Sequence, residues 1–217
     1  MLNPTLRLLL PLATAAGLAL GGPLAHAADA GDISGVTGEE FYFARYYQGA
    51  LEHPKIQKLS ESAKINAVAK DLHAKPGKLK EAVEKVGALG GDPAELALTA
   101  VKSAFEQTRV KGRVLDVLIN ADEPKHVVIY VRWQASTQPD VVKEASEIAH
   151  TVATKAPLVA TLSLAAIHPK APKDSKDAVW SAKIGRDRMA SIQPKRIDDY
   201  ADKLYKRLFE GVEEKTF

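Results

Sequence analysis

The fold is indicated most directly by the stretch His126-Val127-Val128-Ile129-Tyr130-Val131-Arg132-Trp133-Gln134. Apolar side chains occupy every second position, which is typical of a strand with one face in a core. The segment 114–120 is also rich in strand-forming residues, and residues 121–125 between the two contain turn formers. We therefore predict a β-hairpin. The side chains expected to face the core are Val127, Ile129, Val131 and Trp133.

The residues after the hairpin predict a helix, two further strands and a closing helix. A helix over 139–155 places Val141, Ala145, Ile148 and Val152 on one stripe and His150 on the side facing water. The apolar run 158–167 is expected to be a central strand, with Ser163 facing the core. A helix between two neighbouring strands makes them parallel. The last two predicted elements are a strand over 178–189 and an amphipathic helix over 197–208.

The residues before the hairpin predict four helices. Thr37 and Glu40 have the spacing of a capping box, in which each side chain bonds the other residue's backbone amide. Asp92 followed by Pro93 is a typical helix start. We expect Pro76-Gly77 to form a turn. The predicted helices are 38–52, 56–72, 79–89 and 93–105.

This order of elements predicts an α+β fold. We expect a helical region over 37–108 and an α+β region over 109–217, in which β-β-α-β-β-α elements form a two-layer sheet-and-helix half. No linker rich in proline or serine separates the two regions. The sequence therefore also allows one single domain.

The first 27 residues have the pattern of a secretory signal peptide. A single Arg7 precedes an apolar run over 8–20, and Ala25-His26-Ala27 matches a cleavage site. The alternative is a membrane anchor, but the apolar run is shorter than the roughly 20 residues that span a bilayer. We expect cleavage after Ala27, a flexible leader over 28–36, and a soluble periplasmic or secreted protein without a transmembrane span.

The composition excludes several kinds of chemistry. The chain of 217 residues contains no cysteine, so disulfides, thiol catalysis and cysteine-ligated metals are excluded. Charged residues make up 26%, with a net charge of +3, which is too small to indicate nucleic-acid binding. The segment 65–86 resembles a helix-turn-helix, but an exported protein does not meet chromosomal DNA. We expect no nucleic-acid partner.

The sequence indicates neither a metal site nor a recognisable catalytic site. Its histidines are scattered, and no HExxH or HxH motif is present. There is also no G-x-S-x-G motif for a nucleophilic serine. We expect no metal, no cofactor and no catalytic residue among the known patterns. The histidines outside the predicted signal peptide are His53, His73, His126, His150 and His168.

Two clusters are candidates for binding. The aromatic segment 41–47 can place Phe43, Tyr46, Tyr47 and Ala50 in a core stripe. Phe41, Tyr42 and Arg45 would then lie outside the stripe, where they could contact a protein partner. The alternative is a purely structural helix with a wide aromatic face.

Basic side chains gather near the chain's end, at Lys170, Lys173, Arg186 and Arg188 among others, and could bind an anionic lipid or a cell-envelope polymer. The alternative is a solvated surface that neighbouring aspartates balance. The function expected from the sequence is an exported, non-enzymatic protein that acts through protein contacts in the cell envelope, as an accessory or chaperone-like factor. The alternatives are a module that binds a small ligand or an envelope polymer on the open face of its sheet, and a hydrolase with an unrecognised site.

Overall fold

A computed structural model describes residues 35–216, and the predicted signal peptide and residues 28–34 lie outside that range. Helices and a mixed sheet follow each other as expected, so the α+β prediction is confirmed. The helices are α1 Gly38–Leu51, α2 Pro54–Gln57, α3 Glu61–Asp71, α4 Pro76–Gly87, α5 Pro93–Phe105, α6 Val141–Lys155, α7 Arg186–Ala190 and α8 Ile197–Tyr200. The strands are β1 Val114–Asn120, β2 Val128–Gln134, β3 Thr161–Ile167, β4 Ala178–Gly185 and β5 Glu210–Glu214.

The strands form one sheet in the order β1-β2-β3-β4-β5. The β1–β2 hairpin is antiparallel, as predicted, and β3 is the middle strand. Strands β2 and β3 are parallel because α6 carries the chain back between them. The β3–β4 and β4–β5 pairs are antiparallel. Residues from different strands therefore meet in rows across the sheet, and one such row joins Leu118, Tyr130, Ser163 and Lys183.

The end of the chain differs from the prediction. Strand β4 stops at Gly185, and residues 186–190 form α7. The predicted amphipathic helix over 197–208 is wrong: only α8 is α-helical there, and residues 205–208 form a single 3-10 turn. The chain then enters β5, which pairs with β4 at the edge of the sheet. The sequence does not predict this strand, because its glutamates give it no apolar face.

The helical region departs from the prediction in two places. The expected helix over 56–72 is divided into α2 and α3, because Ser60 caps a new helix by accepting a hydrogen bond from the Ala63 amide. Pro76 opens α4 in place of a turn, since its missing amide proton is no loss at a first helical position. The predicted caps at Thr37 and Asp92 are confirmed.

One face of the sheet packs against helices. Helix α5 lies against β1 and α6, and α6 lies against β3. The alternating side chains of β2 predicted to be buried are buried, which confirms that part of the pattern. Leu162, Leu164, Trp180 and Ile184 of the neighbouring strands point to the same core. The opposite face of the sheet therefore carries the other half of each strand's side chains.

Helix α1 belongs to two apolar clusters. Phe41 and Ala44 join the main core beneath the sheet, whereas Phe43 and Tyr47 join a smaller cluster with α3 and α4. Val36 is also buried in the main core, so the end of the predicted flexible leader is part of the folded body. The main core draws side chains from both the helical region and the α+β region. Among residues 35–216, no helix is long and apolar enough to cross a membrane.

Candidate ligand-binding site

The face of the sheet away from α5 and α6 is only partly covered. At one end, the loop after β3 folds across it, because Arg132 donates to the Ser175 carbonyl over 2.5 Å and Gln134 donates to the Ala171 carbonyl over 2.9 Å. At the other end, Tyr130 is 45% exposed, and its β1 neighbour Leu118 is 62% exposed. The uncovered part of this face is called the open face below.

A concavity of about 780 Å³ lies on the open face, over the amino-terminal ends of β2 and β3 and the carboxyl-terminal end of β4. Its floor comes from side chains of these three strands, and its rim comes from the turn into α7 and from β5. The lining includes Val128, Tyr130, Thr161, Ser163, Lys183 and Arg186.

The concavity carries more positive than negative charge. Its cations are Lys183, Arg186 and Arg188, and its carboxylates are Asp187 and Glu210. Arg188 lies 2.5 Å from Glu210, so these two charges largely satisfy each other. Among the described residues, Lys183 and Arg186 form no ion pair. An anionic ligand would therefore find two cations available to it.

Two backbone carbonyls hold Arg186 in place, one bound by its amide and one bound by its guanidinium. Its amide donates to the Ala160 carbonyl over 2.9 Å, and its guanidinium donates to the Ala156 carbonyl over 3.2 Å. Desolvation lowers the pKa of Arg186, and the nearby Asp187 carboxylate only partly offsets this effect. The guanidinium stays charged, because an arginine pKa lies far above neutral pH. A half-buried cation with a fixed orientation is well suited to bind a carboxylate or a phosphate.

Hydroxyl groups lie beside these cations. Ser163 was expected to face the core, but it lies between Tyr130 and Lys183 on the open face, so that prediction is wrong. Thr161 has its hydroxyl 3.4 Å from Nε2 of His126. A hydroxyl beside an imidazole is part of a nucleophile–base pair, but a triad also needs an acid that orients the imidazole. Within residues 35–216, no carboxylate hydrogen-bonds to the His126 side chain, so this pair lacks the acid of such a triad there.

The aromatic helix α1 is more internal than the sequence analysis predicted. Phe41 is fully buried in the main core, so its assignment as a partner contact is wrong. Arg45 pairs with Asp92 over 2.6 Å and stacks over the Phe41 ring, which ties α1 to the start of α5. Tyr46, expected in the core stripe, is only half buried. The reason is that α1 packs on two sides, so both the Phe41 side and the Phe43 side are covered.

Tyr42 is half buried and lines a second concavity of about 650 Å³. The Lys125 ammonium lies 4.6 Å from the centre of its ring, which is cation–π geometry. Phe43 and Leu72 add apolar surface, and the remaining rim is mostly basic. That rim consists of Glu39, His73, Lys75, Lys78 and Lys125. The prediction that Tyr42 and Arg45 contact a partner stays a prediction.

The four basic residues that the sequence offers for anion binding lie at two ends of the sheet. Lys170 and Lys173 follow the carboxyl end of β3, whereas Arg186 and Arg188 follow β4, whose end pairs with the start of β3. Six residue steps of a strand separate these ends by roughly 20 Å. Only the arginine pair lies at the concavity, and anion binding by either group stays a prediction.

Three of the histidines form hydrogen bonds with nearby backbone groups. His53 caps α2 by accepting from the Lys55 amide, and His168 accepts from the Lys170 amide. His150 was expected to face water, but it is half buried, with Nδ1 3.0 Å from the Ile192 carbonyl. Over residues 35–216, no three histidine or acidic side chains are grouped closely enough to hold a metal ion.

The residues that form the concavity floor are not among the candidates that the sequence indicates. Tyr130, Ser163 and Lys183 come from three strands and meet only because of the sheet register. Each has a signal in the sequence, since each occupies a polar position between apolar neighbours in its strand. Those signals point to one surface only when the strand order is known.

Comparison with known proteins gives no relationship on which to base a function. The chain matches no protein family, no curated protein and no solved structure.

Proposed function

We propose that this chain is an exported, non-enzymatic binding protein of the cell envelope, and that it binds a small ligand in the concavity on the open face of its sheet. The observation that carries the proposal is the partly covered open face, on which three strands supply a depression of about 780 Å³. Ligand sites in proteins are typically concave and have volumes of about 300–1,000 Å³.

The composition of the concavity also supports binding. Val128 and Tyr130 supply apolar surface, Thr161 and Ser163 supply hydroxyls, and Arg186 supplies an oriented charge. Apolar surface together with a small number of placed polar groups is the usual composition of a ligand site. The non-enzymatic part of the proposal rests on the lone His126–Thr161 pair, which has no acid partner in the described part of the chain.

A bulky substitution tests the proposed site. Ser163→Trp would fill the concavity, and tryptophan is well tolerated in strands. Ser103→Trp adds the same side chain to the exposed side of α5 and is the matched control. Each chain would be purified from the envelope of its natural host and examined by native mass spectrometry, with circular dichroism to confirm folding.

The wild-type chain and Ser103→Trp should carry a bound small molecule, and the folded Ser163→Trp chain should not. The proposal is wrong if all three chains carry the same molecule, because the ligand then binds elsewhere. It is also wrong if the wild-type chain from the native envelope never carries one.

A second candidate function is protein binding through α1. The observation that favours it is the concavity beside Tyr42, where aromatic surface lies next to Lys75, Lys78 and Lys125. Aromatic and basic side chains together are common in protein interfaces. A photoreactive phenylalanine analogue at position 42 should then cross-link an envelope protein in living cells. The same analogue at the exposed Leu204, far along the chain, is the control, and equal cross-linking at both positions would count against this function.

A further inference from the structure

We infer that the concavity on the open face binds an amphipathic organic anion, with its acidic head between Arg186 and Lys183 and its apolar body across Val128 and Tyr130. This inference rests on the proposed function and adds the chemical class of the ligand. It is drawn from charge complementarity, from the position of the exposed apolar side chains and from the register of the sheet.

The acidic head of the ligand is placed at the two cations that form no ion pair among the described residues. Lys183 is exposed and forms no ion pair within the described residues, and Arg186 uses one nitrogen on the Ala156 carbonyl. The remaining guanidinium donors are available for an oxygen anion, which a planar guanidinium binds well. Arg188 contributes less to this binding because Glu210 already lies 2.5 Å from it. Asp187 is exposed on the rim, and it leaves the concavity with one net positive charge.

The body position follows from the row of residues across the sheet. Starting at Lys183, this row continues through Ser163 and Tyr130 to Leu118. With neighbouring strands about 4.8 Å apart, the row is roughly 14 Å long. It is charged at the Lys183 end and apolar at the other end, where Tyr130 and Leu118 are exposed side by side. A ligand with one charged end and an apolar chain matches this polarity.

Three probes separate the contributions of the head and the body. Octanoate carries both, acetate carries only the head, and octanol carries only the body. Affinity would be measured by calorimetry on the full chain, and the site would be mapped by amide chemical shifts. Octanoate should bind at least about tenfold more tightly than either other probe, because only octanoate meets both the cations and the apolar row.

Four variants show which residues contribute to the affinity for octanoate and octanol. Arg186→Gln should weaken octanoate binding by about tenfold and leave octanol binding unchanged. Lys183→Gln, at an exposed position, should weaken octanoate by about threefold without a risk to folding. Tyr130→Ala should weaken both octanoate and octanol. Lys173→Gln removes the same charge at the far end of the sheet and should change neither.

The outcomes distinguish the two proposals. If octanol binds as well as octanoate, with shifts on the open face and no effect of Arg186→Gln or Lys183→Gln, the chemical class is wrong and the binding site stands. If acetate binds as tightly as octanoate, the apolar chain of the ligand adds no affinity, and the inferred contact with Val128 and Tyr130 is wrong. If shifts from every probe lie away from residues 128, 130, 161, 163 and 183, this inference is overturned, and the Ser163→Trp comparison decides the proposed function separately.

Discussion

The buried carboxylate of Glu144 accepts a hydrogen bond from the indole nitrogen of Trp133 over 2.8 Å. The same carboxylate lies 2.6 Å from the Arg113 guanidinium and accepts from the Ser136 amide. Helix α6 is thereby fixed to β2 and to the residues just before β1. A carboxylate that is only 1% exposed is stabilised inside a protein only when such partners satisfy it.

Replacing Glu144 by alanine should lower the free energy of unfolding by about 3–5 kcal/mol, because it removes the acceptor of the buried Trp133 indole and the carboxylate that pairs with Arg113. Urea denaturation followed by tryptophan fluorescence would measure the loss. Glu84→Ala is the control, since the Glu84 side chain is 67% exposed and only meets Lys80 on the same helix. This control should change stability by about 0.5 kcal/mol or less. Equal losses in the two variants would contradict the importance of the buried network.

Replacing Phe41 by alanine should cost about 3–5 kcal/mol, because its ring is fully buried in the main core. Tyr42→Ala, one position along the same helix, should cost about 1 kcal/mol or less, since the Tyr42 side chain is half buried. Thermal and chemical denaturation of the two variants would provide the comparison. A larger loss for Tyr42→Ala would mean that α1 is rotated relative to the arrangement described above.

The Glu40–Lys85 ion pair should make stability depend on pH in the acid range. Burial of Glu40 would raise its pKa, but the hydrogen bonds from Lys85 and Thr37 lower the pKa below its ordinary value of 4.5. A carboxyl with a lowered pKa contributes stability at pH values above 4.5 and loses that contribution as the pH falls through its folded-state value. Glu40→Gln should therefore lower the free energy of unfolding by about 1 kcal/mol or less at pH 7. The deficit relative to wild type should shrink as the pH falls through the lowered pKa of Glu40.

Urea denaturation at pH 7, 5, 4 and 3 would test this dependence. Glu39→Gln is the matched control, because Glu39 lies in the same helical turn but is exposed and forms no ion pair in the described residues. A Glu40→Gln deficit that stays constant from pH 7 to pH 3 would contradict the predicted linkage.

Export should leave a chain that begins at Ala28. The prediction follows from the apolar run over 8–20 and the Ala25-His26-Ala27 site. Amino-terminal sequencing of the protein from its native host would measure the start directly. Replacing Ala27 by a bulky residue should block cleavage and produce a longer chain. A native protein that still begins at Met1 would contradict both the cleavage and the proposed compartment.

The predictable parts of the fold are those with strong local signals. The capping box at Thr37 and Glu40 defines the start of α1 through contacts within four residues. The alternation in β2 indicates which side chains are buried, because a strand with one covered face needs that period. The Asp92-Pro93 start of α5 is equally local.

The parts that could not be predicted depend on distant partners. Strand β5 has no apolar alternation and is defined by its pairing with β4. The burial of Phe41 depends on the main core, which the order of residues in α1 does not indicate. For the candidate site, the sequence indicates that Arg186 lies near a strand end, but its separation from Lys173 follows only from the antiparallel β3–β4 pair. Local patterns cannot assign partners from other strands.

The charged edge strand limits how copies of this protein can aggregate. An uncovered edge strand presents free amide and carbonyl groups, which can template pairing with a second sheet. On β5, Glu210 and Glu214 pair with Arg188 and Lys206, but the exposed Glu213 forms no ion pair among the described residues and would bring like charges together if two such edges met. Gly211 also has a positive φ of 58°, which interrupts the regular extended path. At the β5 edge, fibre growth is therefore opposed both by charge and by backbone shape.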